Sequence, residues 1–170
     1  MLTQTTVKER LLYNPDTGVF TNIKPIGGVK LHSTAGYLRK DGYCGIKILG
    51  KEYLVHRIAY LYMTGNFPTE QIDHINRIPS DNRWCNLRAV TQNENQINRP
   101  IQRNNSSGYK GVSYHKRDKI YQVSVGNNKK QLYLGSYESL EEAVKVRDEY
   151  CKLHHGEFYS GIGDNYASAK

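Results

Sequence analysis

Apolar and polar residues alternate over residues 72–75, which predicts a half-buried strand. Successive side chains of a strand point to opposite faces, so Asp73 and His74 are expected on opposite sides of a narrow ribbon. Residues 79–82 have turn-forming composition, and residues 87–90 supply a returning strand. The pattern therefore predicts a short hairpin that carries a carboxylate and an imidazole.

A helix is predicted directly after this hairpin. Thr91 and Glu94 have the spacing of a capping box, in which Thr91 caps the helix and Glu94 bonds back to it. Asn95 then falls in the first helical turn. A β-β-helix unit of this kind is expected to bring Asp73 and Asn95 together, although they are far apart in the sequence.

The first half of the chain predicts a small β-rich support for the hairpin. Residues 3–12 predict a short helix, and residues 13–18 predict a turn that leads into a strand. Residues 42–55 predict a second hairpin, which turns at Gly50 and Lys51 and leads into an apolar-rich helix.

Three short alternating runs and a helix are predicted in the second half. They span residues 109–115, 120–126, 130–136 and 139–155. Ser139 is the predicted N-cap of the helix, and Gly156 is its predicted stop. The residues predicted to face the helix are Val123, Val125, Leu132 and Leu134. Those predicted to face outward are Gln122, Ser124, Gln131 and Tyr133. The fold class is therefore predicted to be α+β, with a three-stranded antiparallel sheet and one helix at the carboxyl-terminal side.

Charge changes this picture, because most of it lies in one place. The chain has 170 residues, a net charge of +8 and a pI near 9.3. Residues 102–137 contain seven Lys and Arg residues against one acidic residue, Asp118, so this window carries +6. Basic residues interleaved with aromatic ones on a three-stranded sheet suit a ribbon in the DNA major groove. Double-stranded DNA is therefore the predicted partner.

The cysteines and the hydropathy exclude other classes. Cys44, Cys85 and Cys151 are isolated and odd in number, which argues against structural zinc and against a disulfide framework. No apolar signal core and no run long enough to cross a membrane is expected, which predicts a cytoplasmic protein. The oligomeric state stays open, with a monomer slightly favoured.

The polar residues of the predicted hairpin suit phosphodiester hydrolysis. A neutral imidazole such as His74 takes a proton from water as the oxygen approaches phosphorus. Carboxylate and carboxamide oxygens suit a hard divalent cation, which neutralises phosphate oxygens and stabilises the leaving oxygen.

These residues resemble the ββα-metal motif of HNH endonucleases, in the form found in phage and intron homing enzymes. The short segments that carry the resemblance are Asp73-His74, Asn82-Arg83, Asn86-Leu87-Arg88 and Glu94-Asn95, with Val55 to Tyr60 upstream. The resemblance implies that Asp73 and Asn95 are metal ligands, that His74 is the general base, and that Asn86 braces the hairpin. Many members of this family have His where this chain has Asn95. The carboxamide oxygen of Asn95 favours Mg²⁺, with Mn²⁺ as a substitute, over zinc. The resemblance also implies that the protein is located in the cytoplasm of a phage-infected bacterium.

The same segment supplies predicted DNA contacts and supports. The predicted DNA contacts are Arg57, Arg83 and Arg88, and the predicted supports are His56 and Asn82. For His56 and Arg57, a direct role and a role in capping or bracing the hairpin both stay open.

The carboxyl-terminal half is similar to the AP2/ERF DNA-binding domain. The similar words are Ser-Ser-Gly-Tyr-Lys-Gly-Val-Ser-Tyr-His, Tyr-Leu-Gly-Ser-Tyr, Glu-Glu-Ala-Val and Leu-His-His-Gly-Glu-Phe, between residues 106 and 158. The resemblance places DNA contacts at Lys110, Ser113, His115, Gln122, Ser124, Gln131 and Tyr133, and the basic Lys116 and Arg117 are added to them. Ser and Gln replace Arg or Trp of plant members at several of these positions, so each contact is expected to be weaker.

The prediction is thus a site-selective DNA endonuclease of the homing or mobile-element type. Its predicted regions are a β-rich support (1–54), an HNH core (55–100), a linker (101–108), an AP2-like domain (109–158) and a tail (159–170). Two alternatives stay open: a DNA-binding regulator on an inactive HNH scaffold, and a structure-selective repair or packaging nuclease.

Overall fold

The structure, a computed structural model, describes residues 2–24, 28–98, 101, 105–127 and 130–155, with only the backbone of Asn127 and His155. It is a mixed α and β fold with several small antiparallel sheets. The chain divides into two compact units, Met1–Thr91 and Gln92–Lys170.

The first unit contains two helices and eight strands among its described residues. They are α1 (Gln4–Lys8), β1 (Leu11–Asn14), β2 (Val19–Asn22), β3 (Thr34–Ala35), β4 (Tyr37–Leu38), β5 (Cys44–Ile48), β6 (Lys51–Leu54), α2 (Val55–Thr64), β7 (Gln71–His74) and β8 (Leu87–Val90), with a 3-10 turn at Trp84–Asn86. The sheets have the orders β1-β2-β3, β4-β5-β6 and β7-β8.

The start of the chain differs from its prediction. Thr3 caps α1 by accepting a bond from the Thr6 amide (3.2 Å), but the helix ends at Lys8 instead of continuing to residue 12. Leu11 and Tyr13 are buried alternately with exposed neighbours, and their strand pairs with β2. Burial of this period-2 pattern against β2 overrides the local helical preference.

One core joins the support region to the predicted hairpin. Its buried residues are Val7, Leu11, Tyr13, Phe20, Ile46, Ile48, Val55, Ile58, Ala59, Leu61, Ile72 and Leu87. The rings of Tyr13 and Phe20 lie 4.7 Å apart, and Tyr62 packs edge-on against both. Residues on both sides of position 54 therefore belong to the same packed unit.

The β5–β6 turn and the end of α2 use left-handed backbone conformations. In the β5–β6 hairpin, Ile48 pairs with Lys51, so the turn residues are Leu49 (φ 51°) and Gly50 (φ 77°). The turn thus lies one residue earlier than predicted. At the end of α2, Gly65 (φ 83°) donates its amide to Leu61 O (3.0 Å), as glycines that close helices do.

The second unit contains two helices and a three-stranded sheet among its described residues. They are α3 (Gln92–Asn98), β9 (Val112–His115), β10 (Ile120–Asn127), β11 (Lys130–Tyr137) and α4 (Leu140–His155). The sheet is antiparallel with the order β11-β10-β9. Ser139 Oγ accepts a bond from the Glu141 amide (3.2 Å) at the start of α4. The predicted stop, Gly156, lies outside the described residues.

A bulge in β11 shapes the core of this unit. Val123 pairs with Gly135 and Ser124 pairs with Tyr133, which leaves Leu134 as the extra residue. The core consists of Val112, Val123 and Ala143 with the partly buried Tyr109, Tyr121, Leu134, Tyr137, Leu140 and Val144. Leu132, predicted to face the helix, is 42% exposed instead, because this core is centred on Val123 and not on the turn end of the β10–β11 hairpin.

Within the described residues, no helix combines the length and the apolar character needed to cross a membrane.

Candidate active site in the β7–β8 hairpin

Five polar side chains of the first unit are buried around the β7–β8 hairpin. They are His56, Asp73, His74, Asn82 and Asn86. Polar groups are seldom buried without a structural or chemical reason. This set therefore marks the hairpin as the candidate site.

His74 is the last residue of β7 and lies opposite Leu87. Its ring centroid is 5.0 Å from that of His56 and 5.9 Å from that of Tyr43. Burial lowers the pKa of His74, while the Asn82 side chain and the carboxylates of Asp73 and Asp81 act in the opposite direction. His74 is thus held as a neutral imidazole near neutral pH, which is the form that accepts a proton.

His56 lies in the first turn of α2 and packs edge-on against His74. Burial, followed by the nearby His74 and Arg57, lowers the pKa of His56 to about 3, so it stays neutral. Its Nδ1 has no hydrogen-bond partner within the described part of the chain. The Tyr43 ring, 5.5 Å away, also contacts it. The structure thus brings His56 and His74 together, and no sequence pattern predicted Tyr43 beside them.

Asp73 is paired with Arg88 across the hairpin. The two residues are register partners, and Arg88 donates from Nε (3.0 Å) and from a terminal nitrogen (2.9 Å) to Oδ2 of Asp73. The two side chains are only 9% and 15% exposed. Arg88 was predicted to contact DNA, whereas the structure places its guanidinium on the predicted metal ligand.

Asn86 connects the two sides of the hairpin loop. Its Oδ1 accepts from the Asn76 amide (2.9 Å), and its Nδ2 donates to Asn76 Oδ1 (3.0 Å) and to Asp81 O (2.8 Å). The Ile75 amide also donates to Asn86 O (2.9 Å). These bonds hold the loop that follows His74 in one conformation.

Arg83 lies on the outer side of the same loop. It donates from Nε (2.8 Å) and from a terminal nitrogen (2.6 Å) to the two carboxylate oxygens of Asp81. The pKa of Asp81 is lowered to about 2, and hydrogen bonding by Arg83 is the largest cause. Arg83 is half exposed, so of the three arginines predicted to contact DNA it is the most accessible.

Arg57 braces the segment that follows α2. It donates to Pro68 O (2.9 Å) and to Glu70 O (3.4 Å), and its guanidinium lies 5.0 Å from the centre of the Phe67 ring. Of the two roles left open for Arg57, these contacts favour bracing.

Asn95 lies in α3, which belongs to the second unit. The end of α3 is bonded by Lys110, whose Nζ donates to Gln96 O (2.7 Å) and Ile97 O (2.8 Å). A cation at the last carbonyls of a helix is favourable, because the helix end carries partial negative charge. Lys110 was predicted to contact DNA, and the sequence did not indicate this bond.

The predicted DNA-facing residues of the sheet are largely accessible. Ser113, His115, Lys116, Arg117, Gln131 and Tyr133 are exposed, and Gln122 and Ser124 are half-buried. In register, Ser113 lies beside Gln122, and Ser124 lies beside Tyr133. Asp118 bonds both His115 (3.0 Å) and Arg117 (3.2 Å).

The donor set predicted for a metal consists of one carboxylate and one carboxamide. Within the described ranges, no group of three or more His, Cys, Asp or Glu side chains is arranged to hold a metal ion. The two bonds from Arg88 to Asp73 both go to Oδ2. Carboxylate and carboxamide oxygens are hard donors, which suit Mg²⁺. The chemistry of these donors therefore fits a hard divalent ion.

Comparison with protein families matches residues 53–97 to the family of HNH endonucleases. This segment is similar to an HNH endonuclease domain. The HNH segment runs from β6 into α3 and contains His56, Asp73, His74, Asn82, Asn86 and Asn95. The match covers about a quarter of the chain and supports a nuclease function. HNH nucleases generally use a divalent metal ion. The match does not extend to the AP2/ERF-like residues, whose resemblance stays a prediction.

Comparison with curated proteins and with solved structures found no match.

Proposed function

We propose that this protein is a site-selective DNA endonuclease of the homing or mobile-element type. One observation carries the proposal: a buried histidine whose pKa is lowered ends β7 inside a segment that matches HNH endonucleases. In this proposal the HNH segment hydrolyses the phosphodiester bond, and the carboxyl-terminal sheet holds double-stranded DNA.

His74 is the proposed general base. Its neutral ring takes a proton from the attacking water, and its burial against His56 and Tyr43 limits the orientations that the ring can adopt. His56, neutral itself, adds no second charge beside it.

Asp73 and Asn95 are the proposed ligands of Mg²⁺ or Mn²⁺, an assignment that rests on the family resemblance. When bound, such an ion supplies Lewis-acid stabilisation to the phosphate oxygens and the leaving oxygen. Asn86 has a positioning role, since its three side-chain bonds hold the loop directly after His74.

The carboxyl-terminal sheet is the proposed AP2-like DNA-binding surface. Lys116 and Arg117 are exposed and suit phosphate contacts, which supply affinity. Gln122, Gln131 and Tyr133 suit contacts to base edges, which supply specificity.

The test is cleavage of double-stranded DNA from the native genomic context with Mg²⁺, followed by mapping of the ends. We expect His74→Ala to lose about two to four decades in rate, the usual scale for a general base, with DNA binding retained. His154→Ala, a histidine on α4 outside the HNH segment, is the control. A His74→Ala protein that cuts at the parent's rate would refute the assignment of the base. No cleavage by the parent under any divalent ion would refute the nuclease.

One observation favours a second candidate, a DNA-binding regulator on an inactive HNH scaffold. The carboxylate of Asp73 is bonded by Arg88, so a cation of the protein itself already occupies Oδ2. This candidate predicts site-selective DNA binding without cleavage in the same assay.

A further inference from the structure

The β1–β2 hairpin of the first unit contacts the loop that connects β7 to β8. The Tyr13 hydroxyl donates a buried hydrogen bond of 2.6 Å to Asn82 O. The Trp84 amide donates to Pro15 O (2.9 Å), in the turn between β1 and β2. Two segments about seventy residues apart in sequence are thus bonded on both sides of Arg83.

Gly18, at the end of the same turn, has no room for a side chain. A Cβ at this position would overlap the carbonyl carbon of Asn82 and lie 2.5 Å from Arg83 N. Its φ of +72° also belongs to the left-handed region, which favours glycine. The backbone of the turn therefore lies directly against the backbone of the loop.

The contacted loop provides neighbours of His74. Asn82 is buried, and its Nδ2 donates to Ser80 O (2.9 Å) within the loop. His74 directly precedes this loop, and the Arg77 amide of the loop donates to His74 O (2.9 Å). From the opposite side, Asn86 holds the loop through Asp81 O. The loop is thus fixed from within by Asn86 and from outside by the β1–β2 hairpin.

We propose that the β1–β2 hairpin is a positioning element of the nuclease site, in which Tyr13 and Gly18 place Asn82 and thereby orient His74. The proposal rests on the nuclease function proposed above for its effect on cleavage. Burial raises the pKa of the Tyr13 hydroxyl, so this group stays protonated and remains a donor. The HNH match begins at residue 53 and therefore does not cover Tyr13 or Gly18.

Two pairs of variants separate positioning from general stability. Gly18→Ala is matched by Gly50→Ala, because Gly50 has a similar φ of +77° and no atom within 4 Å of its added Cβ. Tyr13→Phe is matched by Tyr62→Phe, which removes a hydroxyl from the ring packed edge-on against Tyr13 at 5.7 Å. Each control carries the same chemical change without the contact to Asn82.

The first readout is the signal of the His74 ring in ¹H–¹³C NMR spectra, identified among the six histidines by its loss in His74→Ala. We expect this signal to shift in Tyr13→Phe and Gly18→Ala and to stay in place in both controls. An unmoved signal in Tyr13→Phe, or an equal shift in the controls, would overturn the proposal whether or not the protein cleaves DNA. Tyr13→Phe keeps the test available if Gly18→Ala does not fold.

The second readout is steady-state cleavage well below the melting temperature of each variant. We expect kcat to fall about fivefold in Tyr13→Phe, the scale of one hydrogen bond, and about tenfold to a hundredfold in Gly18→Ala, with KM for DNA little changed. In an Asn82→Ala background, Tyr13→Phe should add almost nothing to the loss of kcat, because both act through one side chain. Full additivity, or a change in KM alone, would contradict the proposal.

The two hypotheses fail separately. A parent protein that does not cleave, but whose His74 signal shifts only in the two test variants, refutes the nuclease and leaves the positioning in place. A cleaving parent with an unmoved His74 signal refutes the positioning alone.

Discussion

The β7–β8 hairpin and the β9–β11 sheet use their polar residues in opposite ways. Around the hairpin, His56, Asp73, His74, Asn82 and Asn86 are all buried, and the side chains of Asn82 and Asn86 bond within its loop. In the sheet, Ser113, His115, Lys116, Arg117, Gln131 and Tyr133 are exposed. Burial fixes a side chain and changes its pKa, whereas exposure leaves it available to a large charged partner. The difference agrees with the proposed roles, which are chemistry in the first region and DNA binding in the second.

The strongest test of this contrast is removal of a proposed metal ligand, either the buried Asp73 or the half-buried Asn95 of α3. We expect Asp73→Ala and Asn95→Ala each to reduce cleavage by two decades or more, because each removes a proposed ligand of the metal. EDTA should abolish cleavage by the parent, and added Mg²⁺ or Mn²⁺ should restore it. Asp41→Ala is a matched control, since Asp41 is also paired with an arginine, Arg39 (3.1 Å), but lies outside the HNH segment. Full cleavage activity in EDTA would refute the proposed metal site.

The next test concerns the nearly buried pair of Asp73 and Arg88. Arg88→Met should lower the free energy of unfolding by about 3 kcal/mol, because it leaves a nearly buried carboxylate without its cation. Added Mg²⁺ should raise the melting temperature of Arg88→Met more than that of the parent. Arg83→Met, which breaks a pair with Asp81 whose arginine side chain is 48% exposed, should change the melting temperature much less. Equal effects in thermal melts would show that burial does not distinguish the two pairs.

A smaller effect is expected in the exposed region. Replacing Gln122, Gln131 and Tyr133 together should change site preference by about 1–3 kcal/mol at each contacted base pair, with generic cutting almost unchanged. Lys116→Ala should instead weaken binding uniformly and reduce its salt dependence. The measurement is a cleavage-site profile over a randomised DNA library at several salt concentrations. Identical profiles for all three proteins would show that the sheet does not read the target.

The smallest effect concerns Asp81, whose pKa the Arg83 guanidinium holds at about 2. Because the carboxyl pKa is lowered, the pair stabilises the folded protein at pH values above the ordinary pKa of 3.8. This stabilisation is lost as the pH falls through about 2. Arg83→Met should raise the pKa of Asp81 toward its ordinary value, measured by NMR titration of the carboxyl carbon. Lys116→Met should leave it unchanged. A pKa that does not move in Arg83→Met would contradict the assigned cause.

Local patterns predicted much of the fold. The strands β7 and β8, the three strands of the second unit and helix α4 follow from alternation, helical spacing and the Ser139 cap. The helix predicted up to residue 12 was wrong, because burial of Leu11 and Tyr13 against β2 is a tertiary effect. The turn at Leu49 and Gly50 was misplaced by one residue, since Leu49 in a left-handed conformation has no clear sequence signal.

The partners of individual side chains were less predictable than the elements. Arg88 was predicted to contact DNA, but its partner follows from the register that sets it opposite Asp73. The bond from Tyr13 to Asn82 joins two distant segments, and no periodicity reports such a contact. The Tyr13 to Gly18 run did mark a turn, and the turn is where the contact forms.

The bond from Lys110 to α3 limits how this protein can be divided for engineering. Lys110 lies at the start of the sheet region, yet it closes the end of the helix that completes the HNH segment. A chimera joined within residues 99–109 would therefore remove that cation from the carbonyls of Gln96 and Ile97, even with both parts otherwise complete. A graft that gives the nuclease a new reader should therefore keep α3 and a lysine or arginine at position 110.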